Sequence, residues 1–189
     1  DSSLLFQLGE QLVAKPSIAL AELVKNSYDA DATNVTVIML KVDKVGGTLI
    51  IEDNGHGMTF NEIKNLWMRI ATTEKRKNLV SRIYCRSLTG AKGIGRFASR
   101  RLGNKLIIES IANLPNGTKE KVTSEFDWGK KFLPGEDLVN IPISFTREVV
   151  PDKDQPGVRL TISNARDAWS PEDIVNLKRD LLSLQSPFP

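Results

Sequence analysis

Apolar positions recur along this chain with two periods, and the change from one to the other predicts its elements. Spacing near 3.6 residues predicts helices over 4–13, 17–28 and 60–70, the last from Ile63, Leu66, Trp67 and Ile70. Stretches rich in β-branched residues at 34–42 and 48–52 read as two strands joined by a turn at Gly46-Gly47. No period persists over 72–92, which predicts a long functional loop. A helix over 95–102 follows, then strands at 105–112, 119–126, 141–149 and 158–163. Ser170-Pro171-Glu172-Asp173 starts a last helix, to about residue 184. Helices clustered early and strands later with hairpin-like spacing predict an α+β sandwich, not a doubly wound sheet.

The helix over 17–28, with Ser17 as its expected N-cap, departs from an ordinary amphipathic pattern. Ile18, Ala19, Leu20, Ala21, Leu23 and Val24 cover most of its circumference, so it reads as buried. Glu22, Lys25, Asn26 and Asp29 nevertheless form one polar stripe at i, i+3, i+4 and i+7. A carboxylate is expensive to desolvate, so the stripe either lines a polar cavity or faces solvent. Asp29 and Asp31 add acids where the helix dipole disfavours them. A glutamate one turn from an asparagine suits metal-assisted hydrolysis: the carboxylate polarises a water and the amide oxygen ligates Mg²⁺.

Composition narrows the classes. The chain has 189 residues, 40% hydrophobic and 26% charged, as an ordinary globular domain does. Its single cysteine, Cys85, cannot form an internal disulfide, which favours a reducing compartment. No apolar run nears the roughly 18 residues of a membrane span, and no signal peptide is visible. A cytoplasmic protein without membrane attachment is expected. It begins at Asp1, not Met, and ends in a linker-like Pro-Phe-Pro189, which suggests an N-terminal fragment of a longer protein holding one domain, 1–189.

The formal charge is +3, yet residues 72–101 alone carry +8: nine basic residues against Glu74. Such a block next to glycines implies an anionic partner, a phosphate group or nucleic acid. Only Tyr84 and Phe97 are interleaved as aromatics, which argues against base stacking.

Two glycine-bearing stretches carry further chemistry. Asp53-Asn54-Gly55-His56-Gly57-Met58 follows a predicted strand and reads as a tight turn. Its aspartate can accept a hydrogen bond from the exocyclic amine of adenine, and its glycines admit a flat base. Gly90-Ala91-Lys92-Gly93-Ile94-Gly95-Arg96-Phe97 opens a predicted helix, where backbone amides bind phosphate. The dinucleotide fingerprint fails here, lacking both a preceding strand and an acid about 20 residues on. A P-loop is absent, and one histidine with one cysteine supports neither a metal cluster nor a nucleophilic pair.

In this order the three stretches resemble the GHKL superfamily of gyrase B subunits, heat-shock chaperones, sensor histidine kinases and MutL. Glu22-Leu-Val-Lys-Asn26-Ser-Tyr-Asp29-Ala is similar to its first box, Asp53-Asn-Gly55-His-Gly57-Met58 to the second, and Gly90 to Phe97 to the third. The first box with its Ala-Thr continuation most resembles MutL and the related MORC-type ATPases. The resemblance implies a Bergerat fold: helices on one face of a mixed, mostly antiparallel sheet, with ATP between the layers. It implies Glu22 as general base, Asn26 as Mg²⁺ ligand, Asp53 at the adenine amine, and Gly57 and Met58 beside the base. It also implies a lid over 72–92, in which Thr72, Thr73 and Lys75 lead to phosphate contacts from Lys92, Gly93, Ile94, Gly95, Arg96 and Phe97. Asp29 and Gly55 complete the nucleotide-binding set. Slow Mg²⁺-dependent hydrolysis, ADP release and pairing of two copies in the ATP state follow by family habit, with a DNA or protein client beyond this chain. A nucleotide sensor that does not hydrolyse, and a nucleic-acid binder using the basic segment, are the alternatives. One departure stands out: where the family often has Gly-Thr in a late strand, this chain has Gly157-Val158, and Thr161 is expected on the opposite strand face. Adenine recognition then rests on Asp53 and water.

Overall fold

A computed structural model describes residues 15–64, 80–88, 98–127 and 144–182. Ten elements fall within them. They are α1 (Pro16–Asp29), β1 (Val35–Leu40), β2 (Thr48–Asp53), α2 (Phe60–Glu62), α3 (Ala98–Leu102), β3 (Gly103–Asn113), β4 (Lys119–Asp127), β5 (Ser144–Val150), β6 (Gly157–Ala165) and α4 (Pro171–Leu182). The expected helix at 4–13, the helical reading beyond 64 and residues 183–189 lie outside the described residues.

The six strands form one sheet in the order β1-β2-β6-β3-β4-β5, and every described pairing is antiparallel. The sandwich expected from the sequence is therefore present, with an antiparallel sheet where a mixed one was allowed. Strand β6, last in sequence, inserts between β2 and β3. That insertion brings distant residues into one row: Asp53 pairs with Val158, and Val158 with Ser110.

Alternation along the strands separates two faces. In β6, Val158, Leu160 and Ile162 are buried, whereas Arg159 and Thr161 turn the other way. The inner face joins Ala19, Leu20 and Leu23 of α1, Ala98 and Leu102 of α3 and Leu177 of α4 in one core. All these helices thus lie on one side of the sheet. On the other side the pairs Glu52–Arg159, Lys105–Glu125 and Glu109–Lys121 run across adjacent strands.

Helix starts follow local chemistry. Ser170 and Asp173 form a reciprocal cap: the Asp173 carboxylate accepts from the Ser170 amide at 2.8 Å and the Ser170 hydroxyl accepts from the Asp173 amide at 3.1 Å. Helix α1 corrects the expectation of a Ser17 cap. Its N-cap is Lys15, in extended conformation, because Pro16 occupies the first helical turn. A proline there lacks the N–H that would need a cap, and it forces the preceding residue to be extended. Strand β1 ends at Leu40, short of the expected Val42, because Lys41 takes a left-handed conformation with φ 52°. The Val42 carbonyl instead accepts from the Trp169 amide at 2.7 Å.

Candidate functional site

Asp53 ends β2 half-buried, and three groups of the protein donate to its carboxylate. The Ser27 hydroxyl of α1 donates to Oδ2 at 2.7 Å. The amides of Gly55 and Val158 donate to Oδ1 at 2.9 Å and 3.3 Å. Burial pushes the Asp53 carboxyl above its ordinary range, against the lowering effect of those hydrogen bonds and of nearby His56. An ionised carboxylate has about four acceptor positions, so three donors leave capacity for one more, such as an aromatic amine. The donor set therefore fits the base that the sequence implied.

Gly157-Val158 lies directly beside this carboxylate. Val158 supplies its backbone amide to Asp53 but no hydroxyl, and Thr161 faces the other side of the sheet. The side-chain hydroxyl that reaches Asp53 among the described residues is that of Ser27, a core-facing serine only 4% exposed. Gly157 is required by crowding, since a Cβ there would lie 2.1 Å from the Asp53 carbonyl oxygen.

The turn after Asp53 is fixed at both ends. The Asn54 side chain accepts from the amides of Thr33 and Asn34 and donates to the Thr33 hydroxyl. The His56 amide donates to the Ala30 carbonyl at 3.0 Å. Gly55 packs so closely that a Cβ would meet that same carbonyl at 2.7 Å. Gly57 has φ 69°, and a Cβ on it would lie 1.9 Å from the Ile111 carbonyl oxygen. Met58 donates its amide to the Ser110 hydroxyl at 2.7 Å, and that hydroxyl donates to the Met58 carbonyl at 3.0 Å. Beyond it, the Phe60 amide is held by the buried Glu120 at 2.9 Å, and Thr59 and Glu62 form a capping box.

On α1, Glu22 is 30% exposed and its Oε1 accepts from the Lys25 ammonium at 2.7 Å. Asn26 is half-buried and Asp29 buried. Helix geometry sets Asn26 about 40° around the axis from Glu22 and about 100° from Ser27. By the same geometry Glu22 lies about 140° around the axis from Ser27, so Asn26 is the stripe residue nearest the face that bonds Asp53. Thr72, Thr73, Lys75, Lys92, Gly93, Ile94, Gly95, Arg96 and Phe97 lie outside the described residues.

Of the nine basic residues of 72–101, four are described, and all four are engaged within the chain or buried. Arg82 pairs with Glu62 at 2.7 Å, and Arg86 stacks between the Tyr28 and Tyr84 rings at 4.7 Å and 4.9 Å. Arg100 is 3% exposed, and Arg101 forms an ion pair with Asp167. In this part of the block three of the four side chains are turned inward or bonded to the chain's own groups, while Arg82 is paired but exposed.

Sequence reasoning missed Ser27 and Ser110, and marked Asp31 only as an acid at an unfavourable helix end. Ser27 falls between two residues of the polar stripe but points off it, and Ser110 reads as an ordinary strand serine. The β6-β3 register reveals what Ser110 is opposite, and the packing of α1 against the end of β2 reveals the partner of Ser27.

Residues 14–146 match the family model of histidine kinase-, DNA gyrase B- and HSP90-like ATPases. Among curated relatives, the DNA mismatch repair protein MutL of Xylella fastidiosa (strain 9a5c) is 40% identical over 65 residues, covering 34% of this chain and 10% of the relative. MutL of Clostridium botulinum (strain Kyoto / Type A2) is 30% identical over 118 residues, covering 62% of this chain and 15% of the relative. MutL of Shewanella woodyi matches at 40% over 65 residues. The matched region spans between 10% and 15% of the length of these relatives.

Proposed function

The chain belongs to the family of histidine kinase-, DNA gyrase B- and HSP90-like ATPases, and from that premise we propose that it binds ATP between α1 and the Asp53 turn and hydrolyses it slowly with Mg²⁺. The observation that carries the reading is the Ser27–Asp53 hydrogen bond, 2.7 Å long, which joins the stripe-bearing helix to the turn that reads the base.

In this reading Asp53 accepts from the adenine amine, while Gly55, Gly57 and Met58 hold the turn against the base. Glu22 takes a proton from the attacking water, and Lys25, on its Oε1, fixes the orientation of that carboxylate. Asn26 is the protein ligand to Mg²⁺, with Asp29 completing the polar stripe. When bound, the metal ion neutralises phosphate charge and orients the transferred group. Thr72, Lys75 and Lys92 to Phe97 serve the phosphates, on the strength of the motif. Chain closure over the nucleotide then drives pairing of two copies within a longer cytoplasmic protein. A DNA or protein client is engaged by other parts of that protein, in keeping with the DNA mismatch repair role of the MutL relatives. No described helix is long and apolar enough to cross a membrane.

The test is titration calorimetry with ATP beside steady-state phosphate release, with Mg²⁺ and then with excess EDTA. The reading expects binding and slow turnover that EDTA reduces by at least about a hundredfold. Binding with no metal-dependent turnover would favour a nucleotide sensor, and no binding would overturn the reading.

A further inference from the structure

Residues 30–34, between α1 and β1, hold two separate parts of the protein. On one side they seat the Asp53 turn, through the Ala30 carbonyl to His56 and through Thr33 and Asn34 to Asn54. On the other side Asp31 holds residues 80–88, a small hairpin closed by the Val80–Ser87 bridge and the Ser81 amide to the Arg86 carbonyl at 2.9 Å. Asp31 is 3% exposed and sits at φ 64°, a conformation that few non-glycine residues adopt. Its Oδ1 accepts from the Ser81 hydroxyl at 2.5 Å and from the Tyr84 amide at 3.2 Å, and its Oδ2 from the Ile83 amide at 2.7 Å.

Arg86 reinforces the joint. Its guanidinium donates to the carbonyls of Tyr28 at 3.2 Å and Ala32 at 2.6 Å, on either side of Asp31, while lying between the rings of Tyr28 and Tyr84. The far side of the hairpin reaches the end of the nucleotide turn, where Arg82 donates to Glu62 at 2.7 Å. Burial would raise the Asp31 carboxyl, but the Ser81, Ile83 and Tyr84 hydrogen bonds and the Arg86 charge outweigh it, and the net shift is downward. The group is therefore ionised at neutral pH.

We propose that Asp31 is a positioning residue for the nucleotide reaction: by fastening residues 80–88 onto the end of α1, it fixes the shape of the 28–34 segment that seats the Asp53 turn. The inference rests on the nucleotide-binding reading. Asp31 touches no reacting atom; it acts through Ala30 and Asn54. Because the residues it controls hold the base-reading turn, its loss is expected in nucleotide affinity more than in the chemical step. A purely structural carboxylate would instead lower the folded fraction, reducing apparent kcat with KM unchanged.

The experiment compares wild type, Asp31→Ala and Asp31→Asn by amide hydrogen exchange and by steady-state ATP hydrolysis. In Asp31→Ala, the Ile83 and Tyr84 amides should exchange about tenfold faster, with His56 following them. KM for ATP should rise about tenfold while kcat stays within about twofold. Asp31→Asn, which tolerates positive φ and keeps one acceptor oxygen, should fall between the two. Unchanged exchange at 83 and 84 would refute the fastening. Faster exchange with unchanged KM would reduce Asp31 to a stabilising residue. A wild type that does not bind ATP would overturn the functional reading instead, and exchange at His56 would still decide whether Asp31 shapes the turn.

Discussion

Asp53 carries a conflict between stability and binding that sets its pH behaviour. Burial raises its carboxyl above the ordinary range, so folding favours the neutral acid. Its contribution to stability is fully present below the unfolded-state pKa and is lost as pH rises through the raised folded value. Accepting from an adenine amine needs the ionised form, which dominates on the other side of that transition. ATP affinity should therefore fall with falling pH, and the fall should begin at a higher pH than an ordinary aspartate would give, as calorimetry across a pH series would show. Asp53→Asn removes the buried charge while its amide oxygen can still accept from Gly55 and Val158. The variant should melt at the same or a higher temperature than wild type at neutral pH, yet lose ATP binding. A lower melting temperature would mean that the charge itself is needed for the fold.

At the scale of elements, the turn between β2 and α2 is held by backbone fit more than by side chains. Gly57 combines a left-handed φ with a Cβ position 1.9 Å from the Ile111 carbonyl. Gly57→Ala should cost about 3 kcal/mol or more in chemical denaturation, from strain and overpacking together. Gly117, also at positive φ (82°) but with open space around it, should tolerate alanine better.

The same contrast explains what the sequence made legible. The strands, the Ser170 cap and the Asp53 turn were readable because each depends on neighbours within a few residues. The Lys15 cap is not legible by residue type, because Ser17 is the better capping residue and it is Pro16 that sets the extended conformation of the residue before it. The partnership of Ser27 and Asp53 spans 26 positions, and that of Asp31 with Ser81 spans 50. No local pattern encodes such pairs; the first exists only once α1 has docked on the end of β2, the second only once residues 80–88 have folded back onto the end of α1.

For the whole molecule, the sheet presents its helices on one side and ion pairs on the other, and the nucleotide reading concerns only the helical side. Pairing of two copies under ATP is expected to depend on nucleotide. Sedimentation should show a monomer without nucleotide and a dimer with a non-hydrolysable ATP analogue and Mg²⁺; a mass indifferent to nucleotide would remove pairing from the proposal. The DNA-binding alternative is weakened by Arg82, Arg86 and Arg101, whose charges are already met by Glu62, the Tyr28–Tyr84 rings and Asp167.

The most direct test of the account is Glu22→Ala, with turnover and ATP binding measured on the same preparation. The account predicts a loss of turnover of at least about a hundredfold, the usual worth of a general base, with ATP affinity kept within a few-fold. Hydrolysis at the wild-type rate would contradict it, because the stripe on α1 would then carry no chemistry.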